Sequence, residues 1–134
     1  MEGGCMCGAV RYRLASAPSG AGWCHCRTCQ RNSGSPAMAF ATMPVADFIF
    51  TQGEDLLGTI ASSESGERRF CTCCGTPFLM QETGTPETVD FSLTTLDDAS
   101  AIRPGFHIFY ASRQPWAEAA GDLPRYPRSR SEGL

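Results

Sequence analysis

The chain has 134 residues, 42% of them apolar and 19% charged, which suits one domain with a buried core and argues against a disordered chain. Its net charge of −3 and pI near 5.3 weigh against nucleic acid as a partner, because that binding rests on clustered positive charge. No stretch approaches the ~20 apolar residues of a membrane-spanning helix, so no membrane association is expected.

The start, Met1-Glu2-Gly3-Gly4, has neither a basic segment nor an apolar run, so no signal peptide is visible and the expected location is cytoplasmic. Val10, Tyr12 and Leu14 alternate with Arg11 and Arg13, the period of a half-buried strand. Ala15 to Gly22 is small and rich in Gly and Pro and reads as a loop. A short helical turn is expected from Arg27 to Asn32, stopped by Gly34 and Pro36. Further strands are expected at Ala37–Met43, Phe48–Thr51 and Leu56–Ala61, with a turn or a single helical turn over Pro44–Asp47. Ser62–Gly66 is a polar turn. The chain then runs through Arg68–Phe70, turns at Gly75-Thr76-Pro77 and returns through Phe78–Met80 as a hairpin. Val89, Phe91 and Leu93 mark another strand, and Phe106–Ala111 is apolar enough for a central one. Short strands at intervals of about ten to fifteen residues, with minimal helix, predict an all-β domain of antiparallel strands over residues 1–123, followed by a loosely ordered tail, 124–134.

Eight cysteines fall into three clusters: Cys5-x-Cys7, Cys24-His25-Cys26-x-x-Cys29 and Cys71-x-Cys73-Cys74. Thiols one or two residues apart aim at one ion through a short turn, and tetrahedral zinc is the usual occupant. Disulfides are the alternative, disfavoured by the absent signal and by pairs too close to bridge without strain. The simplest division is four and three. Cys24, Cys26 and Cys29 close around one ion and leave its fourth position to water or a substrate thiol, while Cys5 and Cys7 join Cys71 and Cys74 across a long loop. Cys73 reads as a spare thiol or core filling. In an alternative partition Cys73 or His25 completes the trio, which removes the open position.

These motifs have a further meaning. Gly4-Cys5-Met6-Cys7-Gly8-Ala9-Val10-Arg11-Tyr12, Cys24-His25-Cys26-Arg27-Thr28-Cys29-Gln30-Arg31 and Phe70-Cys71-x-x-Cys74-Gly75-Thr76-Pro77 resemble the glutathione-dependent formaldehyde-activating enzyme family, which includes the centromere protein V domain. The run His107–Trp116, with Gly121-Asp122-Leu123-Pro124 behind it, is similar to the family's C-terminal signature. The resemblance implies a β-tent-like fold with two zinc ions per chain. Cys5, Cys7, Cys71 and Cys74 would hold the structural ion, and Cys24, Cys26 and Cys29 the catalytic one. It also implies a carbon–sulfur lyase-type activity, with glutathione as co-substrate and formaldehyde or another small carbonyl as partner, giving S-hydroxymethylglutathione.

Glutathione carries two carboxylates, and Arg27 and Arg31 beside the trio are the candidate partners. His25 lies between two ligands, where a hydrogen-bonding or surface role outweighs general-base work. His107 reads as a satisfied core residue, and Trp116 and Phe78 as core before pocket lining. A sheet edge open to pairing makes a homo-oligomer conceivable. Two rival functions stand beside the enzyme. One is a non-catalytic zinc-stabilised binding module. The other is a sulfoxide-reductase-like enzyme, weakened because no cysteine follows Cys74 to act as its nucleophile.

Overall fold

The computed structural model describes residues 1–132. Ten strands run β1 Glu2–Gly4, β2 Arg11–Leu14, β3 Gly20–Cys24, β4 Met38–Pro44, β5 Phe48–Gln52, β6 Leu57–Ala61, β7 Gly66–Cys71, β8 Pro77–Glu82, β9 Thr88–Ser92 and β10 His107–Ile108. The α-helix α1 spans Arg27–Ser33. Short 3-10 turns fill several of the connections, including Val45–Asp47 after Pro44. The all-β expectation holds. A three-stranded sheet, β1-β2-β5, packs on a seven-stranded sheet of order β10-β3-β4-β9-β8-β7-β6. Among the described residues every pairing between these strands is antiparallel except β10 against β3.

Period-two alternation gives the large sheet two faces. Ala41 and Met43 of β4, Val89 and Phe91 of β9, and Leu79 of β8 turn to the core shared with the small sheet. Tyr12 fills its centre with no exposed surface. Its ring stacks on Phe48 at 4.3 Å and meets Phe78 and Phe91 edge-on at 5.9 and 6.0 Å. Its hydroxyl is hydrogen-bonded to Thr95 Oγ1 at 2.8 Å, so the one polar atom at the centre is satisfied. Phe78 is thus core. The opposite face carries Met38 and Phe40 of β4, which pack with Cys24 and Cys29 in a second, smaller cluster.

The chain departs from the sequence expectations in three segments. The stretch expected as a loop up to Gly22 contains β3 from Gly20 onward, because Phe106 lies against Gly22, where a Cβ would come within 2.4 Å of its ring. The apolar run Phe106–Ala111 is not a central strand. It pairs for two residues at the sheet edge and stops where Phe109 turns left-handed at φ 51°, a conformation that favours glycine. The described part of the tail is hydrogen-bonded through Arg128: Tyr126 N–H donates to His107 O at 2.9 Å, and Phe109 N–H to Arg128 O at 3.0 Å. Residues 133 and 134 of the expected tail lie outside the described residues.

Candidate metal centres and the cavity beside them

The first cluster forms where two short turns meet. Cys5-x-Cys7 and Cys71-x-x-Cys74 are each followed by a glycine of positive φ, Gly8 at 78° and Gly75 at 82°, which bends the chain back over its sulfurs. Gly8 N–H donates to Cys5 O at 3.0 Å, and Gly75 N–H to Cys71 O at 2.8 Å. Met6 N–H ties one turn to the other through Thr76 Oγ1 at 3.1 Å. The four sulfurs lie within 4.8 Å of one another. Cys5 and Cys7 are 3.5 Å apart, and Cys7 and Cys71 3.9 Å. A tetrahedron with ion–sulfur bonds of about 2.3 Å has edges of about 3.8 Å, so the donors fit a four-thiolate metal site. Val10 N–H donates to Cys5 Sγ at 3.3 Å. Contact with the Thr76 hydroxyl holds Cys74 down at about 6, within reach of a thiolate at neutral pH.

The second cluster is local. Cys24 ends β3, Cys26 caps α1, and Cys29 lies one turn into that helix; their sulfurs too fall within 4.8 Å. Cys29 N–H donates to Cys26 Sγ at 3.2 Å, so the helix cap orients the middle sulfur. Contacts from the Cys24 and then the Cys29 thiol hold Cys26 down at about 2, and the same contact with Cys26 pushes Cys24 far up. The Cys24 contact lowers Cys29, but Cys26 and burial leave it raised, so Cys26 is the thiol of the trio that ionises most readily. The trio has three sulfurs, and neither Cys73 nor His25 joins it. Cys73 is exposed, as a spare thiol would be.

Beside the trio opens a cavity of about 460 Å³. Cys24, Cys26 and Cys29 form one wall; Met38, Phe40 and Met80 give an apolar floor, and Arg68 and Asp90 add ionisable groups to it. Arg68 reaches across from β7. Its Nη2 donates to Cys29 Sγ at 3.3 Å and its Nη1 to Asn32 Oδ1 of α1 at 3.1 Å. One guanidinium thus couples the sheet to the helix that presents the trio. Phe109, the left-handed residue, lines the same space.

Three cysteine sulfurs that could hold an ion thus face a cavity, and four others that could hold a second are grouped elsewhere. The model of the glutathione-dependent formaldehyde-activating enzyme family matches residues 1–112. The chain belongs to that family. A Halomonas elongata protein, provisionally named for the same glutathione-dependent activation of formaldehyde, is 26% identical over 125 residues, which cover 88% of this chain and 80% of its own length. An uncharacterised lyase of Schizosaccharomyces pombe is 36% identical over 75 residues, covering 56% of this chain and 53% of its own. In structure, the chain resembles a crystallised Rhodobacter sphaeroides protein with a TM-score of 0.62 at 25% identity, over 78% of this chain and 92% of that one. The run Gly121–Pro124, part of the C-terminal resemblance, lies beyond the residues matched by the family model.

Arg27 and Arg31, the arginines nearest the trio in sequence, do not line this cavity. Both are exposed and border a separate shallow depression with Gln114 and Trp116, and Arg27 Nη1 is hydrogen-bonded to Gln30 Oε1. Trp116 is 75% exposed and belongs to neither core. His25 is turned away from the trio and buried, its Nε2 2.8 Å from Nδ1 of His107. Burial pushes His25 down to about 4 and lowers His107 as well, with His107 and Arg113 adding to the first and Arg125 to the second. The pair is thus neutral at pH 7 and packs against Tyr110. Arg68 and Asp90 are the residues that sequence reasoning passed over. They enter the cavity only because β7 and β9 flank β8, which carries Met80 of its floor, a relation carried by no local motif.

Proposed function

We propose that this protein is a zinc-dependent, carbon–sulfur lyase-type enzyme that joins glutathione, or a related thiol, to formaldehyde or another small carbonyl, giving S-hydroxymethylglutathione or its analogue. Two zinc ions per chain serve it. Cys5, Cys7, Cys71 and Cys74 hold the structural one, and Cys24, Cys26 and Cys29 the catalytic one. The supporting observation is the contrast between the clusters: four sulfurs complete a tetrahedron, whereas three sulfurs line a cavity of about 460 Å³. Bound at the trio, zinc would supply the Lewis acidity that deprotonates a thiol entering its fourth position.

The chain's own residues do the rest. Formaldehyde needs little activation, so holding the two reactants together is the main contribution, and the walls around the trio provide the enclosure. Met38, Phe40 and Met80 keep the floor apolar and strengthen electrostatic interactions above it. Arg68 anchors Cys29 and brings the positive charge that offsets an anionic sulfur cluster. Arg27 and Arg31 remain candidates only for a part of the thiol substrate extending beyond the cavity. Both clusters need reduced thiols, which fits a cytoplasmic setting. No helix among the described residues is long and apolar enough to cross a membrane.

The test is metal counting together with thiol–formaldehyde exchange measured by NMR above the spontaneous rate. Wild type should hold two zinc ions and accelerate the exchange, and Cys26→Ser should hold one and lose the acceleration. Two ions saturated by the chain's own side chains, with no acceleration, would leave a zinc-stabilised binding module instead.

A further inference from the structure

Asp90 has no evident place in the fold. It sits on β9, the central strand of the large sheet, where Asp is disfavoured, and its side chain faces the cavity. The strand register sets Thr42, Asp90, Met80 and Arg68 in one row across the floor. Only one of the carboxyl oxygens is engaged: Thr42 Oγ1 donates to Oδ1 at 2.5 Å, and Oδ2 has no hydrogen bond among the described residues. Arg68 is two strands away in the same row, yet its Nη2 and Nη1 are engaged by Cys29 and Asn32, and among the described residues no ion pair joins it to Asp90. An acid held in a cavity without a direct ion-pair partner normally costs stability. Such groups concentrate where chemistry needs them.

We infer that Asp90 is the catalytic acid of this site, giving its proton to the carbonyl oxygen as the thiol sulfur attacks the carbon. The inference rests on the thiol-addition reading above. In that reaction the sulfur–carbon bond forms, the carbon–oxygen π pair moves onto oxygen, and the Asp90 O–H bond breaks to make the hydroxyl. The proton lost by the thiol returns through solvent to the carboxylate, so the cycle closes without oxidant or reductant. In the reverse direction the same carboxylate is the base.

Asp90's surroundings favour the protonated form. Burial raises its carboxyl above the ordinary range; the Thr42 hydroxyl and the charge of Arg68 pull it back, and Glu82 adds to the rise. Glu67 and the three cysteines are the other ionisable groups lining the cavity.

The experiment compares zinc-loaded wild type, Asp90→Asn and Asp90→Glu. Melting temperature and zinc content show that each variant folds, since Asn can keep the contact with Thr42. For Asp90→Asn the expected result is a fall in kcat of about 100-fold or more, with KM for the thiol within about threefold, and loss of the wild-type decline in kcat at rising pH. Asp90→Glu should recover part of the rate. Infrared difference spectra should also show a carboxyl titrating above the usual range in wild type and missing from Asp90→Asn, a readout independent of turnover. An unchanged kcat overturns the inference. So does a raised KM with kcat intact, which would make Asp90 an anchor for an amine on the thiol. Absence of exchange in wild type overturns the thiol-addition reading itself, and the assignment of Asp90 with it.

Discussion

Replacing Cys74 by Ser removes one corner of the four-sulfur site, and the cost can be worked from chain length. Cys7 and Cys71 are separated by 64 residues and their sulfurs by 3.9 Å. Treated as a single cross-link over that loop, the closed site withholds from the unfolded chain an entropy equivalent to about 4 kcal/mol at 25 °C. Melting entropy near 2.1 cal/mol/K per residue gives roughly 280 cal/mol/K for a chain of this length, so the midpoint should fall by about 15 °C. The trio encloses only the short segment Cys24–Cys29, for which the same relation gives about half that value. Thermal melts of zinc-loaded wild type, Cys74→Ser and Cys26→Ser, each with its zinc content measured, make the comparison. A Cys74→Ser protein that has lost one ion yet melts within a few degrees of wild type would refute the stapling argument. A trio variant that loses as much as Cys74→Ser would refute the division of labour between the two clusters.

Arg68→Met removes the donor to Cys29 Sγ, so zinc at the trio should pass to a competing chelator about tenfold faster, with Arg68→Lys intermediate; equal transfer rates would show that the contact is incidental. Gly22→Ala would set a Cβ 2.4 Å from the Phe106 ring, and the displaced ring should loosen the segment around Tyr126, measurable as faster amide hydrogen exchange at Tyr126 and Phe109. Asp97 forms a surface pair with Arg11 at 2.5 Å, and that hydrogen bond holds its carboxyl below the ordinary value. A depressed folded-state value stabilises above the unfolded value and is lost as pH falls through the folded one. The small deficit of Asp97→Asn at neutral pH should therefore vanish in acid and shrink in high salt; a deficit that persists at low pH would place the effect elsewhere.

The residues legible in the sequence are those whose partners are near in the chain or whose chemistry is unambiguous. Cys24, Cys26 and Cys29 share one turn and one helix cap, so spacing alone groups them. Cys5 and Cys7 find Cys71 and Cys74 because thiolates in pairs leave a metal site half-built. The Arg11–Leu14 strand and the Pro77–Glu82 return of the hairpin follow from alternation and turn chemistry. Other features were set by packing at a distance. Gly20-Ala21-Gly22 looks like a linker, and it is a strand because Phe106, more than eighty residues later, needs the surface that glycine leaves bare. The run through Phe109 looks like a central strand, and it ends because the chain turns left-handed there to meet the backbone of Arg128 and Tyr126. Arg27 and Arg31 are neighbours of the trio in sequence and outside its cavity in space, because they lie on the helix face that borders Gln114 and Trp116, while Thr28 and Cys29 face the cavity. The guanidinium that does reach the sulfur comes from β7, 39 residues on.

Exposure by itself would pick the other cluster, not the trio of the proposed function, as the reactive one. Cys7 is open to solvent and Cys74 partly so, whereas Cys24 and Cys29 are buried and Cys26 is only half-exposed. A thiol outside a metal site is reactive in proportion to its access and its charge. Inside one, the ion's remaining valence decides, and four sulfurs in a tetrahedron leave none. In the proposed function the trio keeps a free position, and it faces the cavity over Met38, Phe40 and Met80. Burial would then work for the proposed chemistry: it would strip water from an entering thiol, keep the charge of Arg68 unscreened beside Cys29, and favour the protonated form of Asp90. A reagent that alkylates Cys7 in the zinc-loaded protein ahead of the trio would be consistent with this, since access governs that attack, while exchange of added thiol at the metal should occur at the trio alone.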